Sequence, residues 1–382
     1  MGKALKDRLL RVFFLGLCLA ILPTCVNLAQ VAEESTPAWQ AAPLPRWEEA
    51  FREADLRWRG ADGVTSVPLS ASKTLWLFGD TWITDAGARG RQGAVLIRNS
   101  LAVEDLGDCA PGKIKFFWQE SSGRPADAFP SQTETEWLWP MSGARVGKVL
   151  FLFLYQCAAS KSPLGFELSG SVLLKVSNPD EAPEHWKSEQ QRIPFFRHTD
   201  KGDLFFGVAC LVSGDFLYIY GAREDWSRGA EGRSLLVARV PVDGLEREDF
   251  SAWQFFSGDG WAADLSRAGA LFDGAATEMS VSYLPGLERF IAVYTYCGLS
   301  EQILSRVASR PQGPWETARL LYSCPDVSWS RNYFCYAGKA HPELACTGKE
   351  LVLTYATNSL TLEDHYQDMR LYWPRFVRLA LQ

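Results

Sequence analysis

The chain has 382 residues, 47% of them apolar, and a formal net charge of −6. That length and apolar content suffice for one large domain with its own core. The slight acidic excess and the lack of a basic stripe exclude nucleic acid as a partner.

Residues 1–32 read as an export signal. Lys3, Lys6, Arg8 and Arg11 make a positive start, and the apolar run Val12 to Ile21, broken by Pro23, is short for a membrane span. Ala29 and Ala32 are small residues suited to cleavage. An alternative is a lipid anchor on Cys25, after Leu22-Pro23-Thr24, and only such an anchor would tie the chain to a membrane. The expected location is secreted, periplasmic or at the cell surface. Residues 33–45 are rich in Pro and Ala and read as a linker. Arg46 to Trp58 carries the one helical periodicity. The nine cysteines show neither a CxxC nor the His spacing of a zinc site. They read as buried thiols with one or two disulfides of unassigned connectivity.

From Gly60 onward a short apolar strand, a tight turn and an aromatic strand recur. The copies are GADGVTSVPLSASKTLWLFGDTW, WPMSGARVGKVLFLFLYQ, FGVACLVSGDFLYIYGA, TEMSVSYLPGLERFIAVYTY and HPELACTGKELVLTYATN. They start near residues 62, 139, 206, 277 and 341. A second anchor follows several of them: SVLLKVS at Ser171, SLLVARVP at Ser234, QILSRVAS at Gln302 and PRFVRLAL at Pro374. Each unit supplies about four short strands, and such units repeating radially make a β-propeller. The expected fold is all-β, a five-bladed β-propeller with four-stranded antiparallel blades over residues 46–382. Pro374 to Leu381 is expected to complete a blade begun by N-terminal residues. A β-sandwich would share the hairpins but not the two co-recurring anchors.

First strands that open at one end of a propeller converge on the channel mouth. Acids stand at three of those openings: Asp62, Glu278 and Glu343, the last beside His341. Asp62 and Asp80 are each nine residues from Ala71. A turn centred there makes them face each other across an antiparallel pair, with Cβ atoms roughly 5 Å apart. Close carboxylates resist joint ionisation, so one pKa rises, and the neighbouring Trp76, Phe78 and Trp82 add desolvation. The pair then offers a proton donor and a base near neutral pH, which glycosidic cleavage requires. Alternatively, Asp beside Gly is a common turn signal that bonds only backbone.

Asp62, Asp80, Glu278 and Glu343 are therefore the candidate catalytic acids. His341, Arg98, Asn99 and Arg331 are candidates for contacting sugar hydroxyls, and Trp82, Trp139 and Trp329 for stacking. A polysaccharide or oligosaccharide is the expected partner. No cofactor is expected beyond a structural cation in the channel, near His341.

The segments FGDTW, RNSLAV, WPMSGARV, LYIYGA, LLVARVP, GPW, HPEL and YWPRFVRL, in this order over residues 46–382, resemble the secreted propellers catalogued as domain of unknown function 4185 and its relative numbered 5005. The resemblance implies a five-bladed propeller related to glycoside hydrolases of the arabinanase and levansucrase kind. Some members are endo-acting D-arabinan hydrolases with an aspartate pair, to which Asp62 and Asp80 correspond. Where the broader five-bladed glycosidases carry a second-blade aspartate, this chain has Met141 and Ser142 nearby. A secreted glycoside hydrolase is the expected function, and a non-catalytic carbohydrate-binding or scaffold propeller is the alternative.

Overall fold

The computed structural model describes residues 39–162 and 165–381. The expected export signal, with its alternative anchor at Cys25, lies outside them. Within them the chain is all-β with a few short helices.

Strand β1 (Trp39–Pro43) and helix α1 (Pro45–Ala54) come first. Pro45 fixes the first turn. Trp47 and Phe51, one turn apart, are the helix's buried residues, and the Phe51 ring meets Trp76 edge-on at 5.2 Å. Burying such a ring contributes about 1.5–3 kcal/mol. The helix is shorter than its periodicity implied. Asp55 ends it, its side chain accepting from the Arg57 amide at 2.8 Å.

Strands β2 (Trp58–Ala61), β3 (Thr65–Ser70), β4 (Lys73–Phe78), β5 (Thr81–Ile83), β6 (Val95–Ile97), β7 (Ser100–Asp105) and β8 (Lys113–Phe117) follow. They make a four-stranded sheet ordered β3-β4-β7-β8 and a three-stranded one ordered β2-β5-β6. A hairpin of β9 (Gln119–Ser121) and β10 (Arg124–Ala126) precedes the second four-stranded sheet. That sheet runs β11 (Glu136–Val146), β12 (Val149–Ala159), β13 (Phe166–Val176) and β14 (Ser188–Arg192). The next sheet has seven strands: β15 (Arg197–Thr199), β16 (Gly202–Ser213), β17 (Phe216–Glu224), β18 (Arg233–Pro241), β19 (Gln254–Phe256), β20 (Trp261–Ala262) and β21 (Phe272–Asp273). Then come β22 (Met279–Leu284), β23 (Arg289–Thr295), β24 (Gln302–Ala308) and β25 (Arg319–Ser323), paired in that order. The last sheet holds β26 (Tyr333–His341), β27 (Glu350–Ser359) and β28 (Arg375–Leu381), with β1 on the free edge of β28.

Trp39 pairs with Leu381 and Pro43 with Val377. The N-terminal segment thus completes the sheet that the C-terminal strand would leave open. Its paired residues were read as linker in the sequence. Covering β28 removes an exposed strand edge.

Strands β3, β11, β16, β22 and β26 all line one cavity of about 310 Å³. Side chains tie several of them together. Thr65 Oγ1 donates to Met141 O at 3.1 Å and Ser142 Oγ to Gly207 O at 2.7 Å. The Ala340 amide donates to Ser280 Oγ at 2.7 Å, and Lys339 Nζ to Thr65 Oγ1 at 2.7 Å. Register shifts fall at Pro140/Ser142, Phe206/Ala209 and Tyr336/Lys339. Bulges of this kind re-aim side chains beside functional sites.

One lining strand departs from the expected phase. It was placed from His341 onward, but β26 begins at Tyr333 and ends at His341. Pro342 lacks an amide donor and opens a 3₁₀ turn, Pro342–Leu344. A disulfide joins Cys346, beyond that turn, to Cys109.

Candidate active site

The first acid pair is set by strand register. Ala61 pairs with Thr81 on one side of Asp62, and Thr65 pairs with Leu77 on the other. Between them the Asp62 amide donates to Asp80 O at 3.3 Å, and the Gly79 amide donates to Asp62 O at 3.0 Å. The two aspartates therefore face each other, as their equal spacing from Ala71 implies. Gly79 makes room for this: a Cβ there would stand 2.5 Å from Asp62 Oδ1. Gly63, at φ +67°, bends the chain away, and a Cβ on it would stand 3.5 Å from Glu278 Oε1. Asp62, Asp80 and Glu278 thus meet around two glycines.

Each acid has its own partners. Asp62 Oδ2 accepts from the hydroxyls of Tyr336 at 2.7 Å and Tyr372 at 2.8 Å. Asn358 Nδ2 donates to the Tyr336 hydroxyl at 3.2 Å. Asp80 is 3% exposed. It accepts from Trp139 Nε1 at 2.9 Å and from Arg98 Nη1 at 3.2 and 3.4 Å. The Arg98 guanidinium lies over the Trp137 ring, 4.4 Å from its centre. Lys339 is buried and donates to Gly63 O at 2.8 Å as well as to Thr65.

Burial dominates the electrostatics. It pushes Asp62 up to about 8, with the charges of Asp80 and Glu278 adding to the rise and the two tyrosine hydroxyls opposing it. Burial also raises Asp80 and Glu278. Arg98 and Trp139 counter it at Asp80, and Lys339 and Arg233 at Glu278. Burial lowers Lys339, while Glu278 and Asp62 hold it up. Carboxylates coupled this closely share protons as a unit. Such a cluster can hold a proton at neutral pH and still present a carboxylate.

Of the residues singled out in the sequence, Asp62, Asp80, Glu278, Arg98 and Trp139 come together. His341 and Glu343 do not join them. His341 ends β26, five residues past Tyr336 and on the order of 15 Å further along the strand. Its Nδ1 meets Ser66 Oγ at 2.6 Å and its Nε2 meets Thr354 Oγ1 at 2.7 Å. Burial, with help from the Lys339 charge, drives it down to about 3, so the ring is neutral. Glu343 lies in the following 3₁₀ turn, and both residues line the cavity beyond the acid cluster. The expected grouping failed because it ran this strand in the wrong phase.

The other candidates have structural surroundings. Asn99 is buried and clamps the Phe129 amide, Phe129 O and Leu138 O. Trp82 is buried against Tyr366 and His365. Arg331 sits on an exposed turn. Trp329 carries the guanidinium groups of Arg370 and Arg375 on its ring. Among the described residues no group of three or more His, Cys, Asp or Glu side chains is placed to hold a metal ion.

The sequence reading missed Tyr336, Tyr372 and Lys339. Lys339 left a signal, a lone cation inside the apolar run YFCYAGKAH. The tyrosines left none, because their partner is 274 and 310 residues away.

Residues 46–381 match a family described as a domain of unknown function, DUF5005. No curated protein matches the chain. Among solved structures, a Bacteroides ovatus protein described provisionally as a hydrolase aligns at TM-score 0.70 and 16% identity, over 94% of this chain and 97% of that one. At that identity the likeness is one of fold. A GH43_1 enzyme from Xanthomonas citri complexed with xylotriose aligns at TM-score 0.47 and 15% identity, over 90% of each chain. An exo-β-1,3-galactanase from Phanerochaete chrysosporium aligns at TM-score 0.44 and 10% identity, over 85% of this chain and 60% of that one.

Proposed function

The chain belongs to the DUF5005 family, and we propose that it is a glycoside hydrolase built on a five-bladed β-propeller. The blade reading is supported by the five strands that line one cavity. In that reading the seven-stranded sheet is a blade with added edge strands. We place the acid cluster at the mouth of the channel and take an extracellular polysaccharide, arabinan among the first to test, as substrate. The N-terminal export signal would deliver the enzyme to it.

One observation carries the catalytic reading: Asp62 faces Asp80 in strand register, with its pKa pushed up to about 8. At neutral pH Asp62 holds the proton. Its Oδ2 is occupied by two tyrosine hydroxyls, so Oδ1, over Gly79, is the atom that delivers the proton to the glycosidic oxygen. Asp80, whose carboxylate form Arg98 and Trp139 favour against its burial, is the base that takes the proton from the attacking water. Glu278 adds negative charge that keeps Asp62 protonated.

A second reading makes Glu278 the base. It is favoured by exposure, since Asp80 is 3% exposed and Glu278 less enclosed. A polysaccharide panel with product sizing tests the activity, and Asp80→Asn against Glu278→Gln tests the base. Binding of a glycan with no cleavage of any would make the protein a carbohydrate-binding module.

A further inference from the structure

Cys324 and Cys335 bracket the crossover from β25 to β26, the segment that delivers Tyr336 to Asp62. Both are buried, at 2% and 0% exposure, in one apolar cluster with Leu321 and Tyr355. Both are free thiols in the structure, and Cys335 is among the groups that raise the Cys324 pKa, after burial. Their backbones are held by two consecutive residues: the Cys324 amide donates to Glu301 O at 2.7 Å, and the Ser300 amide donates to Cys335 O at 3.1 Å. Inside the crossover, Asp326 accepts from Thr357 Oγ1 at 2.8 Å, and that oxygen lies 3.7 Å from Cys335 Sγ. Two thiols in one packed cluster, on backbone pinned by neighbouring residues, are placed to bond after a small movement.

We propose that Cys324 and Cys335 are a second disulfide of the oxidised protein, joining the last strand of one sheet to the first strand of the next. The oxidant is a small-molecule disulfide such as oxidised glutathione. One cysteine thiolate attacks it, forming a mixed disulfide and releasing one glutathione thiolate. The second cysteine, giving up its proton, attacks the mixed disulfide and releases the other. Two cysteine thiols are oxidised and one glutathione disulfide is reduced to two thiols. Burial raises the Cys324 thiol well above its ordinary range, so the exchange takes place before the crossover packs.

The test is peptide mapping of protein refolded in a glutathione redox buffer, alkylated, then cut with trypsin without reduction. Cleavage at Arg319, Arg331 and Lys339 puts the two cysteines in separate peptides, 320–331 and 332–339. The sample is one in which the Cys109–Cys346 bond is closed, as found in the structure. The expected result is the two peptides recovered as one cross-linked species that separates on reduction. In Cys324→Ser, Cys335 should be recovered alkylated. Recovery of both wild-type peptides singly alkylated, or of either cysteine joined to a different one, overturns the proposal.

Discussion

Lys339 Nζ donates to Gly63 O at 2.8 Å, so a buried cation from the last sheet fixes the chain immediately after Asp62. The same ammonium opposes the rise that burial imposes on the Glu278 pKa. Its loss would leave buried carboxylates facing one another with less counter-charge, which is costly. Lys339→Met should therefore cost stability and raise the pH at which the acid cluster ionises. Thermal melts against pH check both effects together.

Asp62→Asn and Asp80→Asn should each fold and each lose hydrolysis by at least ~10²-fold, the low end for a general acid–base group. Circular dichroism controls for folding. Full activity in Asp80→Asn together with inactivity in Glu278→Gln would move the base to Glu278.

The basic limb of the kcat/KM profile should report loss of the proton that the coupled acid cluster shares, with Asp62, raised to about 8, holding it at neutral pH in the parent. The tyrosine hydrogen bonds favour the ionised form, so Tyr336→Phe and Tyr372→Phe should each move that limb upward. The Glu278 charge favours the protonated form, so Glu278→Gln should move it downward. An infrared carboxyl titration reads the same shifts in a variant too slow to assay. Movement of both in one direction would remove Asp62 as proton donor.

Stability should fall at both ends of the pH range, for opposite reasons. His341 is depressed to about 3 in the fold, while the unfolded chain protonates it near 6.5. Unfolding therefore takes up a proton at His341 between those values, and the His341 contribution falls by about 1.4 kcal/mol per pH unit as pH drops through the window, offset above about pH 4 by the opposite contribution of Asp62. Asp62 is raised to about 8, so unfolding releases a proton above about 4, and stability falls as pH rises towards 8. His341→Gln should flatten the acid side, and Asp62→Asn should melt higher than the parent at pH 8. Denaturant titrations at a series of pH values measure both slopes.

Gly79→Ala places a Cβ 2.5 Å from Asp62 Oδ1 and should displace the carboxylate. Activity should drop at least tenfold, part of the ~10²-fold that the acid is expected to supply. Gly260→Ala meets nothing within 4 Å and serves as control. Glu343→Gln, beyond the cluster, should leave most of the activity, well short of a ~10²-fold loss.

The sequence by itself determined what depends on short loops. Asp62 and Asp80 are separated by one hairpin, and alternation with a tight turn sets its register. The recurrence of hairpins marked four of the five cavity-lining strands, and Glu278 with them. The fifth was misplaced because the connection of its hairpin is long, with the 3₁₀ turn Pro342–Leu344 standing between the end of β26 and the tight turn at Thr347–Glu350. Only the tertiary structure decided what touches the acids. Tyr336, Tyr372 and Lys339 reach the Asp62 segment from the last sheet, across contacts of 274 to 310 residues. β1 and β28 pair as well, so the two ends of the chain meet in that sheet. The sequence marked Pro374 to Leu381 as completing a blade begun by N-terminal residues, but not which side chains that closure brings to Asp62, since its free energy comes from apolar surface that is buried only when all the sheets are in place.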